Sequence, residues 1–309
     1  MTPLIIGDRA DSHVVAVLEA MRALGSGPVP MLVDGPSLQA TGFSLTLDCF
    51  RHDGSTIQIH EPEGTGWLRR YAPTLWGRGQ VVGELEAVTK RAFVALVGAI
   101  TRMGSRNWLT PLDEMLAAED RLVQLEAARA LGLRIPHTIV TSDPDEAIGL
   151  LGASFVVKPL AGGYFWRDGK PRAVFTSEIN ETQAHCADFG AAPFVAQEAL
   201  RVRTHYRVVT VGDEAWVACL DAEGRPLDWR QQTEAHFSWV PASNNLVCES
   251  ALVLAKHLGI GYSSQDWVED SGGIIFLDLN PGGQWLFLPE PIASDVTRSI
   301  ARFLVGDSQ

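Results

Sequence analysis

The chain has 309 residues, 46% hydrophobic and 20% charged, the balance of an ordinary soluble globular protein with room for one large domain or two to three smaller ones. A net charge of −12 excludes a general nucleic-acid binder, which needs a basic footprint, but leaves room for a local basic phosphate site. No apolar run approaches the roughly 18 residues that span a bilayer, the N-terminus turns polar too soon for a signal peptide, and Cys49, Cys186, Cys219 and Cys248 show no zinc spacing. A soluble cytoplasmic protein with reduced thiols and no membrane partner is expected.

The chain opens as strand, loop, helix and strand. Residues 3–7 are apolar, Asp11-Ser12 caps a helix over 13–24, and 29–33 form a second strand. That alternation predicts a small α/β domain with parallel strands. Residues 43–50 and 55–60 alternate as a hairpin turning at His52-Asp53-Gly54. In Gly66-Trp67-Leu68-Arg69-Arg70-Tyr71, followed by Trp76, the arginines beside aromatics suit an anionic ligand or ion pairs with the chain's own acids. The residues alone favour the second. A helix is expected over 83–103 and a boundary around 107–111.

One long helix is predicted over 112–131, ended by Gly132, then a strand over 135–141. A helix at Pro144–Leu151 and a strand at 154–158 closed by Pro159 follow, then a flexible Gly162-Gly163 segment and a strand at 173–176. Strands at 194–200, 206–211 and 215–221, the latter pair turning at Gly212-Asp213, lead to a helix over 245–258.

The most informative stretch comes last. Asp278 and Asn280 are two apart, so in an extended strand they share a face. A turn over 270–273 brings Asp266 to the same place. Three oxygen ligands of this kind suit Mg²⁺, which completes its shell with water and phosphate oxygens. An ordinary hairpin with acidic ends fits the spacing as well.

Several local signals fall in one order: Gly132-Leu133-Arg134-Ile135-Pro136-His137-Thr138, Val156-Val157-Lys158-Pro159, Val195-Ala196-Gln197-Glu198-Ala199-Leu200, Tyr206-Arg207-Val208-Val209, Asp266, and Asp278-Leu279-Asn280-Pro281. This series resembles the ATP-grasp superfamily, whose members hold ATP between two α+β subdomains and ligate a carboxylate to a nucleophile. Asn107-Trp108-Leu109, Gln124-Leu125, Asp228-Trp229-Arg230 and Asn280-Pro281-Gly282-Gly283-Gln284-Trp285 narrow it to the graspetide synthetases, macrocyclases of microviridin-type ribosomal peptides. Trp67-Leu68-Arg69-Arg70 is similar to a Trp-x-Arg-Arg stretch of their N-terminal domain.

The resemblance implies an α/β protein with α+β subdomains: an N-terminal pre-ATP-grasp domain over 1–110, a central ATP-grasp lid over 111–193, and a C-terminal subdomain over 194–309 carrying the metal site. Lys158 and Arg121 would meet the phosphates, with Arg121 standing where the family commonly has lysine. Gln197, Glu198, Ala199 and Leu200 would form the hinge, backbone groups of Glu198 and Leu200 reading the adenine edge. Arg207 and Arg230 would neutralise charge on the transferred phosphoryl group. Asp266, Asp278 and Asn280 would hold Mg²⁺; Asp278 replaces a more usual glutamate, and His205 an acid.

Gly282-Gly283 would let the backbone approach a ligand closely. Each residue also has a plainer reading: a solvated strand-end lysine, an arginine on an exposed helix face, a buried strand at 194–200, a salt bridge for Arg230, a simple turn at Gly282-Gly283. The implied reaction activates Asp or Glu side chains of a precursor peptide as acyl phosphates and links them to Ser/Thr or Lys. A leader segment of the peptide would dock on the enzyme, in the family commonly a homodimer. A freestanding ligase of small molecules and a nucleotide-binding regulator are the alternatives.

Overall fold

The computed structural model describes residues 2–25, 27–70, 85–160, 164–167, 170–174, 176–186 and 192–307. Tyr71, Trp76 and the Gly162-Gly163 segment lie outside the described residues.

The first sheet runs Met31–Val33, Leu4–Ile6, Thr65–Leu68, Asn107–Trp108, all parallel. Its two strands Leu4–Ile6 and Met31–Val33 are apolar and buried throughout, as strands covered on both faces are. Leu4, Ile6, Val33 and Leu68 point into one core, whereas Ile5, Leu32 and Trp67, which are register partners, point into another. Helix Ser12–Ala23 starts at Asp11, whose side chain accepts the His13 N–H as expected of a cap. The predicted turn at His52-Asp53-Gly54 is present, with positive φ at Asp53 (49°) and Gly54 (73°). It joins Cys49–His52 to Ser55–Gln58, and Phe43–Leu45 is a separate third strand rather than part of the second.

The helix predicted over 112–131 is two helices, Leu112–Ala118 and Arg121–Ala130. The apolar periodicity runs through the break, but the Asp120 carboxylate takes the Leu122 and Val123 N–H groups and starts a new helix there. Gly132 ends it with φ of +73°, as expected.

The second sheet is antiparallel, in the order Ser177–Asn180, Ser154–Pro159, Phe194–Glu198, Thr138–Thr141. Pro136, with no N–H to donate, keeps the last of these from starting at 135 as predicted. Helices Pro144–Leu151 and Glu181–Cys186 accompany a small core of Ala147, Phe155, Ala184, Phe194 and Ala196. The strand expected at 173–176 is instead the end of a hairpin, Tyr164–Arg167 with Lys170–Ala173, and the next strand begins at Ser177. By pairing, the chain leaves this sheet after Glu198.

The third sheet, also antiparallel, is ordered Val240–Pro241, Glu214–Asp221, Thr204–Val211, Tyr262–Asp270, Gly273–Asn280. One face, with Tyr206, Val208, Trp267 and Phe276, packs on helices Asn245–His257 and Arg121–Ala130. The other, with Val209, Val211, Leu220 and Tyr262, shares a core with Ile5 and Trp67 of the first sheet and with helix Ile292–Val305. Trp285 is fully buried there; burying a side chain of that size stabilises by roughly 3 kcal/mol. Cys49, Cys219 and Cys248 are free thiols. Among the described residues no helix is long and apolar enough to cross a membrane.

Candidate nucleotide and metal site

The second and third sheets face each other across a cleft, and a β-bulge shapes its floor. The ladder pairs Gln265 with Leu279 and Asp266 with Asp278, then Trp267 with Phe276, leaving Leu277 unopposed. The extra residue breaks the two-residue alternation. Phe276 and Leu279 consequently enter the core, while Leu277 and Asp278 both line the cleft. Asp266 and Asp278 therefore stand side by side, and Asn280 is two pairs further along, opposite Ser264.

Adjacent carboxylates repel unless cations surround them, and here they do. Arg207, the register partner of Asp266, donates to it at 2.6 Å. Arg121 reaches Asp278 at 3.4 Å while its other nitrogen bonds the Pro159 carbonyl at 3.0 Å, bridging helix, second sheet and third sheet. Burial would raise the Asp266 carboxyl, but Arg207, then Arg230 and His205, overcome it and hold it below its ordinary value. Lys158 is half-buried on the opposite wall. Burial and then Arg121 push its ammonium down to about 8, against the pull of Asp278 and Asp266.

Arg230 also lines the cleft, and its guanidinium is clamped by the buried Asp228 through bonds of 2.7 and 2.8 Å. The salt bridge is thus real, and it fixes the direction of a side chain that stays exposed rather than neutralising it within the core. Buried Gln124 donates to the Leu279 carbonyl at 2.7 Å and accepts its N–H at 2.9 Å. It pins the helix of Arg121 to the residue between Asp278 and Asn280.

No protein-family model matches the sequence, and no curated protein matches it. Among solved structures the architecture is shared by macrocyclase MdnC of Microcystis aeruginosa MRC bound with precursor peptide MdnA, with TM-score 0.82, 20% identity, and 99% of this chain and 100% of that one covered. It is shared by a Chryseobacterium gregarium RiPP-associated ATP-grasp ligase in complex with ADP and a leader and core peptide, with TM-score 0.84, 21% identity, and 100% and 98% covered. ATP-grasp ligase PsnB, complexed with minimal precursor, Mg and ADP, gives TM-score 0.75 and 20% identity over 99% and 98%.

The chain has the ATP-grasp fold.

Of the residues singled out in the sequence, Arg121, Lys158, Gln197, Glu198, Leu200, Arg230, Asp266 and Asp278 line the cleft of this ATP-grasp fold; Ala199, Arg207 and Asn280 do not. Arg207 sits beside Asp266 on the same face of the third sheet, against the Phe287 ring, 5.8 Å from its centroid. The Asn280 amide oxygen accepts the Gly282 N–H at 2.9 Å, which leaves it a second lone pair. The Glu198 N–H is already bonded to the His137 carbonyl at 3.0 Å, so that donor does not serve an adenine edge. Gly283 does not open the backbone to a ligand: a Cβ there would lie 2.4 Å from the Ser264 Cβ.

Sequence reasoning missed Val156, Leu277, His205 and Trp229 as cleft residues. The only signal for Leu277 is the unbroken apolar run Ile274-Ile275-Phe276-Leu277, which alternation does not explain.

Among the described residues no three Asp, Glu, His or Cys side chains cluster as a self-sufficient metal cage. That fits Mg²⁺ held by two carboxylates and an amide with phosphate and water completing the shell. Arg121 Nε and Arg207 Nε are buried without hydrogen-bond partners, so cationic donors exceed the acceptors the protein supplies. The site as built fits a magnesium-bound nucleotide.

Proposed function

We propose that this chain is an ATP-dependent peptide macrocyclase of the graspetide type. The observation that carries it is the convergence of Arg121, Lys158 and Arg230 around the paired Asp266 and Asp278, at the junction of two sheets. Full-length likeness in fold to ligases crystallised with precursor peptides, ADP and Mg supports it.

In the proposed reaction an Asp or Glu side chain of the precursor attacks the γ-phosphorus of ATP, giving an acyl phosphate and ADP. A Ser/Thr hydroxyl or Lys amine of the same peptide then attacks the acyl carbon. Phosphate leaves with the C–O bond electrons, the nucleophile loses its proton, and an ester or amide closes the ring. Mg²⁺, when bound, would supply neutralisation of phosphate charge. Asp266, Asp278 and Asn280 are the proposed ligands; Lys158 and Arg121 hold the phosphates.

Arg230, aimed by Asp228, meets charge developing on the transferred group. Arg207 is assigned the indirect task of orienting Asp266. Gln197 and the backbone around Leu200, with Val156 and Leu277, form the adenine end. The proposed organisation keeps the division after residue 110 and moves the second from 193 to after Glu198, since strand Phe194–Glu198 pairs within the second sheet; the proposed assembly is a cytoplasmic homodimer.

The test is incubation with ATP, Mg²⁺ and the short peptide encoded beside the gene. The expected result is ADP and phosphate release with a peptide mass lower by one water per ring. No mass loss, with turnover on free amino acids instead, would sink the macrocyclase reading.

A further inference from the structure

The Trp67-Leu68-Arg69-Arg70 stretch is absorbed neither by the cleft nor by ordinary surface pairing. Arg69 is among the largest fully buried side chains, at 1% exposure. Its Nε donates to Asp11 at 3.2 Å, its plane lies over the Trp285 ring at 5.6 Å, and its Nη1 donates to the Gly282 carbonyl and, at 3.1 Å, to that of Gly283. Tyr262 donates to the same Gly283 carbonyl at 2.9 Å. Burial would raise the Asp11 carboxyl, but the His13 hydrogen bond and Arg69 outweigh it, so the anion facing Arg69 is kept.

A buried guanidinium is costly unless its donors are matched. Here Nε is matched by Asp11 and Nη1 by the main chain that directly follows Asn280, while Nη2 is buried without a hydrogen-bond partner among the described residues. Gly282 is held at both ends, its N–H by the Asn280 side chain and its carbonyl by Arg69. Gly283 is held as well, its N–H by the Asn280 carbonyl at 3.2 Å and its carbonyl by Arg69 and Tyr262, with its α-carbon too close to Ser264, the register partner of Asn280, for a side chain. The rotamer of Asn280 is therefore coupled, through one glycine, to an arginine of the first sheet.

We propose that Arg69 is a positioning residue that sets the Asn280 amide for the metal, so the N-terminal domain tunes metal binding in the cleft. This rests on the nucleotide-site reading above. Residues that orient metal ligands typically change affinity by about 10–100-fold when lost.

The experiment titrates Mn²⁺ by EPR in the presence of ADP, with thermal melts of each variant. Arg69→Lys keeps the charge but loses the planar guanidinium that reaches Asp11 through Nε and both carbonyls through Nη1 at once. It should weaken Mn²⁺ binding by about tenfold or more, with metal-free ADP binding unchanged. Arg106→Lys is the matched control: Arg106 is also buried, donating to the Thr2 and Thr65 carbonyls and to Glu61, away from the 280–283 loop. It should lower the melting temperature without moving Mn²⁺ affinity.

If Arg69→Lys fails to fold, Asp11→Asn, which leaves Arg69 in place but removes its anion, should give a smaller loss of the same kind. Wild-type Mn²⁺ affinity in Arg69→Lys, or an equal loss in Arg106→Lys, overturns the proposal. Absence of ADP-dependent Mn²⁺ binding in the wild type overturns the site reading itself, and this inference with it.

Discussion

The two sheets that wall the cleft are built very differently. The third sheet is covered on both faces, by the core around Trp267 and Phe276 on one side and the core around Trp285 on the other. The second has one small core of Ala147, Phe155, Ala184, Phe194 and Ala196. The acids that would hold metal lie on the doubly packed sheet, and Lys158 and the hinge lie on the lightly packed one. Groups that must keep sub-ångström geometry are thus placed where packing is densest, and groups that must let a ligand in and out where local opening is easiest.

The largest expected effect comes from the rigid wall. Asp278→Ala should cut turnover by on the order of 10³-fold. It should leave the melting temperature nearly unchanged, because the side chain is partly exposed and its one ion pair, to Arg121, is 3.4 Å long. Steady-state kinetics with a melt checks both halves, and near-wild-type turnover would remove Asp278 from the metal site.

The lightly packed wall should break locally. Phe155 is fully buried in the small core, so Phe155→Ala should cost roughly 3 kcal/mol or more. Hydrogen exchange should rise in Ser154–Pro159 and Phe194–Glu198 while Thr204–Val211 and Tyr262–Asp270 stay protected. A uniform rise across both sheets would show that they unfold as one unit and erase the contrast.

A smaller loss is expected at their junction with the N-terminal sheet. Gly283→Ala drives a methyl to 2.4 Å from the Ser264 Cβ. Forcing the loop away should cost roughly 1–3 kcal/mol by denaturant titration. A neutral result would mean that the loop is free to move and that Asn280 is not held through it.

The legibility of these features in the sequence follows from the range of the forces that make them. That the turn over 270–273 brings Asp266 near Asp278 could be read, because a tight hairpin is a local property, but a regular ladder would have set Asp266 opposite Leu277, and only the bulge puts Asp278 there. The cap at Asp11 and the stop at Gly132 could be read for the same reason. The bulge at Leu277 could not, since nothing in an apolar run says which residue is unopposed. The helix break at Asp120 was hidden because the apolar stripe continues through it, while the cap that breaks it is one carboxylate among many. Arg69 was assigned correctly to pairing with the chain's own acids, but its partner loop lies over 200 positions away, joined to it at Gly282. The pairing of Arg207 with Asp266 depends on strand register that only the assembled sheet sets.

The smallest effect is electrostatic and sharpens the contrast between the walls most directly. The Lys158 ammonium is pushed down to about 8 by burial and by Arg121, whereas Asp266 on the other wall stays ionised well below neutrality. In the proposed site a nucleotide phosphate would bind the protonated lysine, so binding would raise its pKa, and by linkage affinity would be full below the free-protein value and fall as pH climbs through it. ADP affinity should accordingly drop by roughly tenfold between about pH 7 and about pH 9.5. Lys158→Arg stays charged over that window and should flatten the profile, even if its absolute affinity differs, because a guanidinium does not titrate there. Calorimetric titration at stepped pH reads the slope. A slope that persists in Lys158→Arg would assign the titration to another group and leave Lys158 an ordinary solvated cation at a strand end.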